Sequence, residues 1–133
     1  MRFLVSVLIL LGSFVVGLMV VDKVYAGPKV AAGSESVLSP EDAWTLIGQG
    51  ALVVDVRTKA EFDSGALPAA LNISHEVVMQ NLDQLGSKDR AIVLYCRSGQ
   101  RSGLVLDQLI AAGYTNVWNA GGYEKLKAAA SQL

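Results

Sequence analysis

The chain has 133 residues and carries 11 Lys and Arg against 12 Asp and Glu, a formal net charge of −1; that near balance excludes both a basic field for nucleic acid and an acidic tail. With an N-terminal export segment set aside, about a hundred residues remain, enough for one domain with its own core and too few for two. Cys96 and His75 are the only residues of their kinds, which excludes an intrachain disulfide and leaves no ligand set for a usual nitrogen and sulfur metal site, so neither metal nor cofactor is expected.

The run from Phe3 to Val21 is apolar and uncharged, with Arg2 before it and Asp22 and Lys23 after it. It reads as an export signal, diluted by Ser6, Gly12, Ser13 and Gly17 yet close to the length that spans a bilayer. Val24-Tyr25-Ala26 places small residues where a signal peptidase reads, so residues 1–26 are expected to be removed ahead of Gly27. Val30-Ala31-Ala32 is a second option, and an uncleaved inner-membrane anchor is the alternative. On either reading everything after Lys23 lies outside the cytoplasm, in a periplasm or cell envelope, and the membrane is a partner only if the segment is retained. Residues 27–37 are rich in Gly, Ala and Ser and read as a flexible linker; residues 38–133 form the domain.

Ser39-Pro40-Glu41-Asp42 combines a capping residue, a first-turn proline and acidic residues ahead of Ala43, Trp44, Leu46 and Ile47, which predicts a helix ended by Gly48 and Gly50. Ala51 to Val56 is a nearly continuous apolar run, the pattern of a strand covered on both faces and hence of a parallel sheet. Lys59 to Ser64 is expected to form a helical turn, and the stretch containing Pro68 a loop into a short strand at Leu71-Asn72-Ile73. Val77, Val78, Leu82 and Leu85 recur at helical spacing, predicting a helix over 75–85 stopped by Gly86. Ala91 to Tyr95 repeats the buried-strand pattern, and Ser102 to Ala112 reads as an amphipathic helix ended by Gly113. Tyr114 to Trp118 is β-prone, Gly121-Gly122 is expected to break it, and Tyr123 to Ala130 is helical. Strands alternating with helices predict an α/β sandwich with a mostly parallel sheet and helices on both faces.

The chemistry concentrates where the strand 91–95 meets the next helix. Ligands of parallel α/β sheets bind outside the carboxyl ends of the strands, and a helix start offers free N–H groups and a positive dipole end. A loop curling around Cys96 would turn its N–H groups, from Arg97 to Ser102, onto the sulfur and stabilise a thiolate. Arg97 and Arg101 add positive charge for an anionic substrate, and Gly99 permits a backbone angle that other residues resist. Without that loop a lone cysteine reads as a small buried hydrophobe, and the two arginines as solvated charges. Asp55 and Arg57 are assigned to structure, with Arg57 pairing Glu61. His75 is expected to cap or to lie at the surface, and Tyr114 and Trp118 to sit in the core.

From Ser39 to about Lys127 the chain resembles the rhodanese family. The resemblance rests on Cys96-Arg97-Ser98-Gly99-Gln100-Arg101 at a strand-to-helix junction, on Asp55-Val56-Arg57, Glu61-Phe62, Gly65-Ala66-Leu67-Pro68 and Asn72-Ile73 upstream, and on Gly121-Gly122-Tyr123 downstream. The chain departs from that pattern at Ala66, where histidine is frequent, at Ala69, where glycine is, and at Leu126, where tryptophan is. The resemblance implies a three-layer sandwich and sulfur transfer in two half-reactions. Cys96 would take a sulfane sulfur from a small anionic donor such as thiosulfate as a persulfide, then pass it to cyanide, a thiol or a protein acceptor. It assigns anion attraction to Arg97 and Arg101, and loop N–H groups or hydroxyls to Ser98, Gly99, Gln100 and Ser102. The alternatives are a non-catalytic binding module or a partner-specific sulfur carrier on the same fold. A cysteine phosphatase or arsenate reductase fits less well, because only four residues separate Cys96 from Arg101, a tighter loop than those enzymes use.

Overall fold

The computed structural model describes residues 37–133. The export segment and nearly all of the linker lie outside the described residues. Among those described, no helix is long and apolar enough to cross a membrane.

Helix α1 spans Pro40–Gly48 and begins as its sequence dictates: the Ser39 hydroxyl accepts the N–H of Asp42, with proline in the first turn. Strand β1 (Leu52–Asp55) leads to helix α2 (Lys59–Asp63), where Thr58 and Glu61 form a reciprocal capping box. A two-residue strand β2 (Leu71–Asn72) follows, then strand β3 (Ile92–Cys96), helix α3 (Gln100–Ala111), strand β4 (Val117–Gly122) and helix α4 (Tyr123–Ala130). The four strands are all parallel, in the order β2-β1-β3-β4.

Two apolar clusters make the molecule three layers deep. Ile92, Leu94 and Cys96 of β3 face one side, with Val105, Leu106 and Leu109 of α3 and with Val78 and Leu85. Val93 and Tyr95 face the other side, with Ala43 and Leu46 of α1 and Leu126 of α4. The period of two along a strand buried on both faces produces this division. It also sends the Cys96 side chain to the α3 layer, at the carboxyl end of a central strand.

Four expectations are corrected. The segment 75–85 is not an α-helix but two short 3-10 helices, Val78–Gln80 and Leu82–Leu85. Asn81 separates them: its backbone is non-helical and its side-chain amide takes the Val77 carbonyl, so its own side chain competes with the helical ladder. Gly121 and Gly122 do not break the last strand. They end β4, and Gly122 pairs with Cys96 across an irregularity in the ladder. Tyr114 to Asn116 precede that strand, which starts only at Val117. Helix α3 begins at Gln100, two residues ahead of the expected start, which shortens the loop after Cys96 to Arg97, Ser98 and Gly99.

Candidate active site

Cys96 is fully buried, and its sulfur is the centre of a hydrogen-bond cradle. The Gly99 N–H donates to Sγ at 3.0 Å, and the Ser102 hydroxyl lies at 3.5 Å. Helix α3 has no side-chain cap, so the sulfur takes the N–H of its N-cap residue Gly99, while the Gln100 N–H turns to the Ser98 hydroxyl at 3.4 Å. Burial pushes the Cys96 thiol up. The Ser102 hydroxyl, when its one proton turns to the sulfur, and the N–H groups of Ser102, Ser98 and Gly99 outweigh that push and hold the thiol below its ordinary value.

The loop can close this tightly only because glycines meet on both sides of it. Gly99 has a φ of +94°, and a Cβ there would stand 3.0 Å from the Cα of Gly121. A Cβ on Gly122 would stand 2.7 Å from the Arg97 carbonyl oxygen. The end of β4 is therefore the wall against which the loop is folded.

The two arginines expected to attract an anion are placed differently. Arg97 is exposed and makes no ion pair among the described residues. Arg101 is half-buried and reaches back to Glu61 of α2 through two parallel hydrogen bonds of 2.8 and 2.9 Å. The Arg101 hydrogen bond, offset in part by burial, holds Glu61 down from 4.5 to about 2. The Glu61 hydrogen bond, and to a lesser degree a Cys96 thiolate, hold the Arg101 guanidinium above its ordinary value. Ser98 and Gln100 lie exposed at the rim, and Ser102 is fully buried.

The expected Arg57–Glu61 pair is corrected by the same geometry. Arg57 pairs with Asp55 at 2.6 Å, and its guanidinium also donates to the Gly65 carbonyl. It lies over the Tyr123 ring at 4.4 Å and near the Tyr95 ring at 5.6 Å. The pair is closed and buried, which makes it a structural support beside the site. His75 caps no helix among the described residues and lies only partly at the surface. It is half-buried, its backbone N–H bonds the Val56 carbonyl, and its Nδ1 is buried without a partner. Tyr114 is buried as expected, while Trp118 is half-buried against the second cluster.

The sequence reading missed Asn119. Its Oδ1 accepts from the Ser102 hydroxyl at 2.8 Å and from the Gly121 N–H at 3.0 Å, while its Nδ2 donates to the Gly99 carbonyl at 3.0 Å. The available signal was an amide at a position of β4 that, two residues after Val117, falls on the buried α3 face.

Cradle, strand end and helix start together define a class, that of domains presenting a single cysteine in an anion-stabilising loop. The sequence profile of the Rhodanese-like domain matches residues 39–129, and the chain belongs to that family. A protein of Allochromatium vinosum named sulfurtransferase is 39% identical over 71 residues, 53% of this chain and 65% of that protein. The thiosulfate sulfurtransferase GlpE of Haemophilus influenzae is 30% identical over 88 residues, 65% of this chain and 83% of that protein. Among solved structures, the human single-domain sulfurtransferase TSTD1 superposes with a TM-score of 0.59 at 22% identity, covering 69% of this chain and 95% of that one. A rhodanese-related protein of Thermoplasma volcanium gives 0.62 at 22% identity, covering 70% and 91%. These structural likenesses establish the rhodanese fold.

Proposed function

We propose that this protein is a sulfurtransferase that moves a sulfane sulfur from thiosulfate or a similar small anion to cyanide or a thiol through a persulfide on Cys96. The observation that carries this reading is the cradle: Sγ receives the Gly99 N–H at 3.0 Å, and the thiol lies below its ordinary value. The sulfurtransferase names of the relatives agree with it. In the first half-reaction the thiolate attacks the outer sulfur of the donor. An S–S bond to Sγ forms, the donor's own S–S bond breaks, and sulfite leaves with the electron pair. In the second, cyanide or a thiolate attacks the outer sulfur of the persulfide, and the Cys96 thiolate departs to its cradle. No general base is required, because the nucleophile is already stabilised as an anion. Arg97 is the exposed charge that draws the donor in, and the loop N–H groups hold the negative sulfur.

Intact-mass measurement of the reduced protein before and after thiosulfate tests this reading. A gain of one sulfur, lost on adding cyanide or excess thiol and absent in Cys96→Ser, is the expected result. No gain from a folded protein with a free thiol would sink transfer from small donors and favour a partner-specific carrier or a binding module. We further propose that the domain works outside the cytoplasm, on the strength of the Phe3–Val21 run and the Val24-Tyr25-Ala26 motif. The mass of the protein recovered from the cell envelope reads this directly: a chain starting at Gly27 supports cleavage, a full-length chain in the membrane fraction supports an anchor, and full-length protein in the cytoplasm refutes export.

A further inference from the structure

The Ser102 hydroxyl carries one proton and faces two acceptors, the Cys96 sulfur at 3.5 Å and Asn119 Oδ1 at 2.8 Å. Which way Asn119 points is settled by its other two partners. The Gly121 N–H can only donate and contacts Oδ1, and the Gly99 carbonyl can only accept and contacts Nδ2. The amide is thereby locked with its oxygen toward Ser102, and a 2.8 Å contact between two oxygens requires the Ser102 proton to lie between them. We propose that Asn119 is a positioning residue that holds the Ser102 proton away from the sulfur and so limits how strongly the cradle stabilises the Cys96 thiolate.

The arrangement suits a sulfur whose charge comes and goes. In the thiol form the S–H of Cys96 can donate to the Ser102 oxygen while Ser102 donates to Asn119, and every polar group is satisfied. When Sγ is a thiolate, the Ser102 proton serves better on the sulfur, and rotating it there costs the bond to Asn119. When the outer sulfur of a persulfide carries the charge, Sγ no longer demands that proton and it can return to Asn119. The amide therefore favours the thiol and the persulfide over the bare thiolate. An apolar residue at position 119 would leave the proton to the sulfur alone.

The proposal rests on Cys96 being the reactive sulfur, but its test requires no sulfur transfer, so the two readings can fail separately. The charged and titratable groups at this end of the sheet are Arg97 in the loop, Arg101 of α3 held by Glu61 of α2, the closed Asp55–Arg57 pair at the end of β1, and His75 after β2. Asn119 bonds none of them. Thiol titration of the full chain, by ultraviolet thiolate absorbance and by the pH dependence of iodoacetamide alkylation, reads the effect. Asn119→Ala should lower the Cys96 midpoint by about one pH unit, roughly a tenfold gain in the thiolate-to-thiol ratio. Asn119→Asp, which keeps the acceptor and adds negative charge, should raise the midpoint and serves where the alanine variant does not fold. The decisive comparison is the Ser102→Ala background. There the fall caused by Asn119→Ala should vanish, because the proton through which Asn119 acts is gone. A midpoint that stays or rises in Asn119→Ala, one that falls in Asn119→Asp, or a fall that persists without the Ser102 hydroxyl overturns the proposal.

Discussion

Arg97 and Arg101 lie four residues apart and differ in what surrounds them. Arg97 is exposed with no ion pair among the described residues, whereas Arg101 has its charge answered by Glu61. A unit charge in water is worth about 1 kcal/mol at contact distance. Arg97→Ala should therefore raise KM for a dianionic donor about fivefold, leave kcat nearly unchanged, and lose most of its effect at high salt. Steady-state assays with thiosulfate at two ionic strengths check this, and an effect on kcat alone would contradict it. The Arg101–Glu61 bond makes a different prediction, one about acid. Glu61 is held below its ordinary value in the folded state, so the bond's contribution is present above pH 4.5 and is lost as the pH falls toward about 2. Glu61→Gln should be less stable than the parent near neutrality, and the gap should narrow across that acid window. Denaturant unfolding at a series of pH values measures it, and a gap independent of pH would mean that the carboxylate charge is not the cause.

At the scale of elements, Ala69 is the described non-glycine residue with a left-handed backbone, at φ 59°. This is the position where the rhodanese pattern often has glycine, so a departure visible in the sequence becomes local strain in the fold. A left-handed L-residue costs roughly 1–2 kcal/mol, and glycine gives back part of that through its larger unfolded-state entropy. Ala69→Gly should accordingly stabilise the protein by about 0.5–1 kcal/mol, a rise in Tm of a few degrees by thermal unfolding; no rise would mean that the turn carries no strain. Position 122 should behave in the opposite sense. Gly122→Ala would press a methyl group to 2.7 Å from the Arg97 carbonyl, displacing the loop and lowering sulfur transfer along with stability. The strands were legible because Leu52–Asp55 and Ile92–Cys96 are apolar runs that only a sheet covered on both faces can bury. The N-terminus of α1 was legible in its cap, and the Cys96 loop in its place between strand and helix. The 3-10 segments were not, because Val78 and Leu85 fit a helical period and only the side-chain bond of Asn81 defeats it. Asn119 and the Glu61–Arg101 bond were hidden for another reason. Hydrogen bonds that span 17 to 40 residues of chain leave no periodic trace, and the pairing of Arg57 with Asp55 emerges only once the chain turns at Val56.

Across the whole molecule, the buried Asp55–Arg57 pair is what ties the sheet to the layer opposite Cys96. Asp55 is fully buried and accepts three hydrogen bonds from the Arg57 side chain and one from the Arg57 backbone N–H. The guanidinium continues to the Gly65 carbonyl and lies over the ring of Tyr123 in α4, which itself stacks on Tyr95 of β3 at 6.1 Å. Asn72 of β2 donates to the carbonyls of Asp55 and Arg57 and closes the arrangement at the sheet edge. One arginine thus links β1, the turn after α2, β3 and α4 on the side of the sheet away from the Cys96 sulfur. Removing one partner of such a pair leaves the other charge buried without compensation, which costs about 3–5 kcal/mol. That is a large part of the roughly 5–15 kcal/mol by which a domain is stable. Arg57→Ala and Asp55→Asn should each lower the unfolding free energy by that order in a denaturant titration, and the double variant should lose less than the sum of the two, since the second change removes a charge already stranded. The cradle around Cys96 is built on the opposite face from Gly99, Ser102 and Asn119. Each folded molecule of these variants should therefore keep its thiol titration midpoint while the population of folded molecules falls. A shifted midpoint in the folded fraction would instead show that the pair acts on the sulfur electrostatically through the sheet, and would move Asp55 and Arg57 from the scaffold into the site.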